Sequence, residues 1–210
     1  MRSFFYGVCA AVLWPVLAAA VDGPQLRVDA SRGRHPISPD IYGINDYEDK
    51  GLGPVLGGGV RRWGGDLTTR YHWKLDAANS AFDWYFESNP LDPNNTLSLP
   101  ESSKFNSVVE TARRSNQKTM GTIPMIGWLP KSRDFGCSFR TDKYGPQQQV
   151  GPYHKECGNG LKPDGSRIRG NDPNDVSQPV DTSLAREWVQ YLVKRYGTAE
   201  PGVVANVLPR

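Results

Sequence analysis

The side chains of this sequence best suited to chemistry are aromatic residues near small or polar ones. Trp63, Trp73, Trp84 and Trp128 each lie within three residues of a glycine, aspartate or asparagine. Such surroundings are typical of loops and strand ends. An aromatic ring at a strand end can stack on the flat apolar face of a sugar, while asparagine and aspartate bind its hydroxyl groups. Packing in a hydrophobic core is the competing interpretation for any one of these tryptophans.

Other chemistries find little support in the sequence. His154 and Cys157 lack the two further ligands that a zinc site needs, and the three histidines form no helical pair. The glycine-rich segments precede a predicted strand instead of following one, and no Gly-x-Ser-x-Gly is present. The formal charge is +3, without a basic stripe. We therefore predict no cofactor, no metal site and no nucleic-acid partner.

The first 20 residues have the pattern of a secretory signal peptide, with Arg2, an apolar run and three alanines. The run is too short to span a bilayer, so we predict a secreted, extracellular protein with no membrane association after cleavage. Removal of Cys9 leaves Cys137 and Cys157, which we expect to form a disulfide in an oxidising compartment. Asn94, in an Asn-Asn-Thr sequon, is a predicted glycosylation site.

Apolar periodicity predicts strands that alternate with helices. Residues 25–39 are typical of a β-hairpin. Polar residues are available to cap two amphipathic helices, and Gly197 ends the second. The predicted strands cover residues 41–45, 60–65, 119–128 and 202–207, and the predicted helices cover residues 100–116 and 181–196.

This alternation predicts an α/β fold with parallel strands. A complete (β/α)8 TIM barrel has eight such units, and this chain would supply about the first three to four of them. The long segment 132–179 is expected on the carboxyl-terminal face, where barrel active sites lie. The predicted organisation is a signal peptide over 1–20, β-strands over 21–40 and a barrel portion over 41–210.

Two groups of motifs resemble glycoside hydrolase family 44. The first is His-Pro-Ile-Ser-Pro-Asp-Ile-Tyr-Gly-Ile-Asn over 35–45, followed by Arg-Trp-Gly-Gly-Asp over 62–66. The second is Tyr-His-Trp over 71–73, then Asn79, then Asp-Trp-Tyr over 83–85, with His72 standing where the family often has asparagine. The resemblance covers residues 26–197, and residues 199–210 are expected to leave the family pattern.

The resemblance implies a secreted endo-β-1,4-glucanase or xyloglucanase, built as a barrel with a small β-sandwich to which residues 21–40 contribute. It also implies a retaining mechanism with two glutamates, one of them in an Asn-Glu-Pro motif after the fourth strand. No such motif occurs in the chain, so we assign no catalytic residue and predict a truncated chain that is inactive alone. The implied substrate-binding residues are Asn45, Asp66, Tyr71, Trp73 and Trp128.

The partner implied by this resemblance is a β-glucan or xyloglucan chain, bound by a monomer. For Trp84 we expect packing in the fold in preference to sugar binding. A non-catalytic carbohydrate-binding protein that uses the same aromatic residues is the alternative function. A small secreted inhibitor or effector is a third possibility that no motif favours.

Overall fold

A computed structural model of the chain describes residues 23–45, 59–94, 98–197 and 203–206. The chain divides into two units, Met1–Pro36 and Ile37–Arg210. The predicted signal peptide and the last two residues of the predicted sequon lie outside the described residues. No helix among the described residues combines the length and the apolar character that crossing a membrane requires.

The first unit is extended and exposed over residues 23–36. A turn is present, because the backbone N–H of Arg32 donates to the carbonyl of Asp29 at 3.3 Å. The predicted hairpin is absent, since residues 23–38 contain no strand. Leu26 and Val28 are about nine-tenths exposed, so their apolar side chains gain no burial that would hold two strands together.

The regular elements of the second unit are mostly short. Three helices, α1 to α3, and nine strands, β1 to β9, are numbered here in chain order among the described residues. The helices are α1 (Lys104–Arg114), α2 (Thr141–Tyr144) and α3 (Thr182–Tyr196); the strands are β1 (Gly43–Ile44), β2 (Val60–Trp63), β3 (Tyr71–His72), β4 (Ala77–Asn79), β5 (Ser88–Pro90), β6 (Lys118–Thr122), β7 (Trp128–Pro130), β8 (Ser177–Pro179) and β9 (Val203–Asn206).

The main sheet has the order β1-β2-β6-β9, and all of its pairings are parallel. This confirms the prediction of an α/β fold with parallel strands. The third strand is shorter than predicted: β6 ends at Thr122, and Pro124, which has no N–H to donate, follows. In β2, Arg61 and Trp63 are buried while Val60 and Arg62 are half-buried, so alternate residues face the two sides of the sheet.

Helix α1 covers the side of the sheet that carries Trp63. The helical spacing of its apolar residues places Phe105, Val108, Val109 and Ala112 on the buried side, as the sequence predicts. The Ser103 side chain caps the helix by accepting from the backbone N–H of Asn106. The rings of Phe105 and Trp63 meet edge to face, with centroids 5.6 Å apart.

Helix α3 completes the core through Trp188. Its ring lies 4.9 Å from that of Phe105 and stacks parallel to that of Trp73 at 6.4 Å. Asp181 caps the helix through the backbone N–H of Ser183, and Gly197 ends it with a φ of 86°, where glycine is favoured. Both predicted helices are therefore confirmed, with their capping residues.

The long segment between β6 and α3 is an ordered platform. Strand β7 pairs antiparallel with β8, and β3, β4 and β5 form a second antiparallel sheet. The predicted disulfide joins Cys137 and Cys157, with Cα atoms 5.6 Å apart and both side chains buried. The disulfide therefore closes a loop within this platform, and a backbone bridge between Cys137 and Glu87 links the platform to the residues just before β5.

Candidate functional site

Three of the predicted site residues come after parallel strands of the main sheet in the chain. Asn45 follows β1, Asp66 follows β2 after two glycines, and Trp128 lies beyond the end of β6. The register pairs Ile44 with Arg61 and Trp63 with Gly121, so these strands run together toward the same edge. We call Asn45, Arg62, Asp66 and Trp128 the sheet-edge site.

A cavity of about 470 Å³ lies against this sheet. Asn45 and Arg62 line it together with the apolar side chains of Ile44 and Met120, and its lining continues along the strands to Asp40 and Lys118, at their amino ends. The volume falls in the range of small-molecule sites, roughly 300–1,000 Å³. A polar amide and a guanidinium over an apolar floor can hydrogen-bond hydroxyl groups while covering the carbon skeleton of a ligand.

Arg62 is a member of this site that sequence reasoning missed. Strand alternation could have found it, because Trp63 faces the core and its neighbour must face the other side. A Cβ atom at Gly64 would lie 2.5 Å from the guanidinium carbon of Arg62, so glycine leaves room for this side chain to reach toward the strand end. Gly65, at a φ of 117°, then takes a backbone conformation that other residues rarely adopt.

Asp66 is exposed and stands at the N-cap position of a 3-10 helix, Leu67–Arg70. One oxygen of its carboxylate accepts from the Arg70 guanidinium at 3.2 Å. Its carbonyl oxygen accepts from the backbone N–H of Thr69 at 3.1 Å. The side chain is thus held locally by an exposed ion pair, which in water stabilises little and can be exchanged for a ligand at small cost.

Trp128 is half-buried and begins β7, where it pairs with Pro179 of β8. The preceding residue, Gly127, has a φ of 76° and accepts from the backbone N–H of Val180 at 2.9 Å. The β7–β8 pair therefore fixes the position of the ring while part of its surface stays open.

Tyr71 and Trp73, which the sequence placed in the substrate-binding set, lie in the hydrophobic core. They are 1% and 6% exposed, and both rings contact Trp188. The indole N–H of Trp73 donates to the carbonyl of Leu184 at 3.1 Å. Neither ring has a face open to a ligand, so we assign both to the core.

The Tyr71 hydroxyl serves a buried polar contact. It donates to Oδ1 of Asp76 at 2.8 Å. This carboxylate oxygen of Asp76 also accepts from the backbone N–H of Lys104, at the start of α1, at 3.0 Å. Burial raises the pKa of Tyr71 well above 10 and also raises the pKa of Asp76. These groups join the core to the amino end of α1, where a carboxylate is favourable.

A second cleft, of about 640 Å³, lies between β3, β8 and the amino end of α3. His72, Gln178, Asp181 and an ion pair of Lys74 with Glu187 line it. Burial lowers the pKa of His72 to about 4, and the nearby Lys74 ammonium acts in the same direction. His72 is therefore neutral over the physiological range, and its Nε2 accepts from the Gln178 amide at 3.1 Å.

No three metal-ligating side chains come together in the part of the chain that the structure describes. Three glutamates there have side-chain partners outside the sheet-edge site. Glu87 is buried and accepts from Nδ1 of His154 at 3.0 Å, whereas Glu110 and Glu187 form ion pairs with basic residues on other elements. These three glutamates do not lie at the end of a parallel strand.

Comparison with known proteins gives one family and several related structures. The family model of glycoside hydrolase family 44 matches residues 77–208. Its range begins after the motifs at 35–45 and 62–66. Because it extends beyond Gly197, the expectation that the family pattern ends there is wrong.

Among curated proteins, the chain is 27% identical over 183 residues to a beta-mannanase/endoglucanase A of Caldicellulosiruptor saccharolyticus, covering 83% of this chain and 12% of that protein. Among solved structures, CelM2, a bifunctional glucanase-xylanase from a metagenome library, is 31% identical with a TM-score of 0.73. That match covers 84% of this chain and 34% of CelM2.

Cel44A, a family 44 endoglucanase from Clostridium thermocellum, is 24% identical with a TM-score of 0.51, covering 82% of this chain and 32% of that protein. At this identity the likeness concerns the fold alone. The chain thus spans about a third of the solved relatives it matches and about an eighth of the curated one.

Proposed function

The chain belongs to glycoside hydrolase family 44, and from this premise we propose that it takes part in the hydrolysis of β-1,4-linked glucans such as xyloglucan. The observation that carries the proposal is the sheet-edge site, in which Asn45 and Asp66 follow the parallel strands β1 and β2, Arg62 lies within β2, and Trp128 comes after β6 in the chain. Enzymes with this strand arrangement bind their ligands at that edge. We infer that β1, β2, β6 and β9 are the first four strands of a (β/α)8 barrel.

Each side chain of the site suits a glycan. The Asn45 amide and the Asp66 carboxylate can hydrogen-bond sugar hydroxyls, and the exposed part of the Trp128 ring can stack on a pyranose face. Arg62 adds donors on the floor of the same cavity as Asn45. The substrate class proposed here is a neutral β-glucan chain bound by a monomer.

The proposed chemistry is retaining hydrolysis by two glutamates whose carboxyl groups stand about 5–5.5 Å apart, one as acid/base and one as nucleophile. The sequence contains no Asn-Glu-Pro motif. The buried carboxylate of Glu87 accepts from His154 and directly precedes β5, an antiparallel strand. We therefore assign neither catalytic role to this chain and propose that its 210 residues have no turnover by themselves.

The test measures reducing-sugar release from carboxymethylcellulose and xyloglucan by the purified chain, beside calorimetric titration with cellohexaose. We expect saturable binding, weakened about tenfold or more by Asn45→Ala or Trp128→Ala, and no release of sugar. Val189→Ala, on the exposed side of α3, is the matched control. Turnover that survives replacement of every glutamate would rule out the two-glutamate mechanism.

A non-catalytic carbohydrate-binding protein is the second candidate, because the Asn45 amide and the exposed part of the Trp128 ring could bind a glycan without cleaving it. The genomic sequence after the codon for Arg210 separates the two functions. An in-frame Asn-Glu-Pro favours the hydrolase. A stop codon, together with saturable binding of cellohexaose, favours the binding protein.

Secretion is part of the proposal. The Cys137–Cys157 disulfide supports it, because such bonds persist in oxidising compartments. Amino-terminal sequencing of the protein from culture medium is expected to begin close after Ala20. A mass loss on enzymatic deglycosylation that Asn94→Gln abolishes would place a glycan at that residue, whereas Asn116→Gln, outside any sequon, should leave the loss unchanged.

A further inference from the structure

Two exposed aromatic rings lie next to each other outside the sheet-edge site. Trp84 is 38% exposed and Tyr153 is 80% exposed, although Trp63, Trp73 and Trp188 are all buried. Their centroids are 6.3 Å apart and their planes are inclined by 33°. We call this pair the aromatic shelf. The expectation that Trp84 packs inside the fold is not met, since over a third of its surface faces solvent.

The backbone that carries Trp84 is held in an uncommon conformation. Trp84 ends a 3-10 helix, Ala81–Trp84, and the next two residues, Tyr85 and Phe86, have φ values of 50° and 54°. Side chains other than glycine rarely adopt this left-handed region, and when they do the surrounding structure must impose it. Here the carbonyl of Phe86 accepts from the buried Asn79 amide at 2.8 Å, which fixes the turn.

The other half of the shelf is tied to the same segment. Glu87, three residues after Trp84, is buried, and its carboxylate accepts from Nδ1 of His154 at 3.0 Å. His154 adjoins Tyr153, and its ring stacks on that of Phe135 at 4.8 Å. Its carbonyl accepts from the backbone N–H of Cys157, which the disulfide joins to Cys137. The backbone next to each of the two rings is thus held in position before any ligand arrives.

We propose that Trp84 and Tyr153 bind the pyranose rings of a β-glucan chain at a second place, beyond the sheet-edge site. This inference rests on the proposed function, which supplies the class of ligand. Pyranose rings present apolar C–H faces that stack on aromatic rings, and their hydroxyls reach the polar groups beside the shelf. The Tyr153 hydroxyl and the exposed side chains of Asp83 and Lys155, next to the two rings in sequence, provide such groups.

The aromatic shelf has the features of a ligand-binding surface. Large apolar rings left in water mark interaction sites when they cluster, whereas single exposed residues carry no such meaning. The two rings are tilted and do not stack on each other, Tyr85 meets Trp84 edge to face, and the exposed parts of Trp84 and Tyr153 are the surface open to a ligand. A rigid binding surface loses little conformational freedom when the ligand binds, which favours affinity.

The test titrates the full chain with cellohexaose by calorimetry and repeats the titration for Trp84→Ala and Tyr153→Ala. Each change should raise the Kd about tenfold, which corresponds to about 1.4 kcal/mol. Trp84→Phe should keep most of the affinity because it keeps an aromatic face. Phe82→Ala is the matched control, since Phe82 is 63% exposed in the same 3-10 helix but its ring contacts Phe86. Near-ultraviolet circular dichroism checks the fold of each variant.

The outcomes separate the shelf from the proposed function. If Trp84→Ala and Tyr153→Ala bind like the wild type while Asn45→Ala and Trp128→Ala lose affinity, the shelf is overturned and the proposed function stands. An equal loss in Phe82→Ala would assign the effect to the segment as a whole and would also overturn the shelf. If the wild-type chain does not bind cellohexaose, both proposals fail.

Discussion

Replacement of His72 by glutamine should remove most of the acid sensitivity of the fold above pH 4.5. His72 is 5% exposed, and burial lowers its pKa from 6.5 to about 4. The folded chain therefore keeps the ring neutral in a range where the unfolded chain protonates it. Stability from this group is fully present above about pH 6.5 and is lost as the pH falls toward 4.

The size of the effect follows from the two pKa values of His72. Each pH unit of difference between folded and unfolded states is equivalent to about 1.36 kcal/mol. Between pH 7.5 and pH 4.5 the wild type should lose about 2.5 kcal/mol of unfolding free energy through His72 alone. Hydrogen bonds from Lys143 and Tyr144 lower the pKa of Asp175 from 3.8. Aspartates of this kind add little to the pH dependence above pH 4.5, because they are ionised there in both the folded and the unfolded chain.

Urea unfolding followed by tryptophan fluorescence at the two pH values measures this loss in the wild type and in His72→Gln. Glutamine can still meet the Gln178 amide but has no proton to take up in this range. The exposed His35, in the first unit, gives the control His35→Gln, which should behave like the wild type. The reasoning is refuted if His72→Gln loses as much stability at pH 4.5 as the wild type does.

Three further changes test the packing in the same urea assay at pH 7.5. Replacing Cys137 and Cys157 by serine should cost about 3 kcal/mol, because the disulfide closes a loop with a sequence separation of 20. Trp188→Ala should cost about 3–5 kcal/mol, because its buried ring contacts the rings of Tyr71, Trp73 and Phe105 in the core. Asp181→Ala should cost about 1 kcal/mol through loss of the hydrogen bond from the Ser183 N–H at 2.8 Å.

Each of these changes has its own control. The wild type treated with reductant should match the double serine variant, and a fully stable reduced chain would contradict the role of the disulfide. Val189→Ala removes an exposed side chain from the same helix as Trp188 and should cost little. Asp181→Asn keeps a capping oxygen and should retain most of the stability. A loss as large as that of Asp181→Ala would contradict the capping argument.

Local sequence was sufficient to predict the elements that satisfy themselves locally. Both long helices have apolar residues at helical spacing and a capping side chain at the start, and both are present. The hairpin over 25–39 failed for the opposite reason. A turn forms at Asp29, but a strand needs a partner and a buried face, and Leu26 and Val28 have neither.

The site residues show the same difference between positions set by local sequence and positions set by distant contacts. The family resemblance implied Asn45, Asp66 and Trp128 as site residues, and the parallel register brings the ends of β1, β2 and β6 to one edge. The resemblance implied Trp73 as well, but Trp73 is buried by Trp188, a residue more than a hundred positions later in the chain. No local pattern reports that contact, and so a ring expected to meet a ligand belongs to the core.

Trp84 shows the reverse error, because we expected its ring to pack in the fold and more than a third of its surface is exposed. Its neighbours are typical of a loop, and the left-handed turn at Tyr85 and Phe86 sends the chain back toward Glu87 and leaves the Trp84 ring partly exposed. That turn is imposed by Asn79, by the buried Glu87–His154 contact and by the disulfide, which come from three separate segments. In the sheet-edge site, the register of parallel strands positions Asn45 and Arg62, whereas the β7–β8 pair positions Trp128. Loosening the disulfide should therefore leave Asn45 and Arg62 in place, and binding through these two residues can be measured separately from binding to the aromatic shelf.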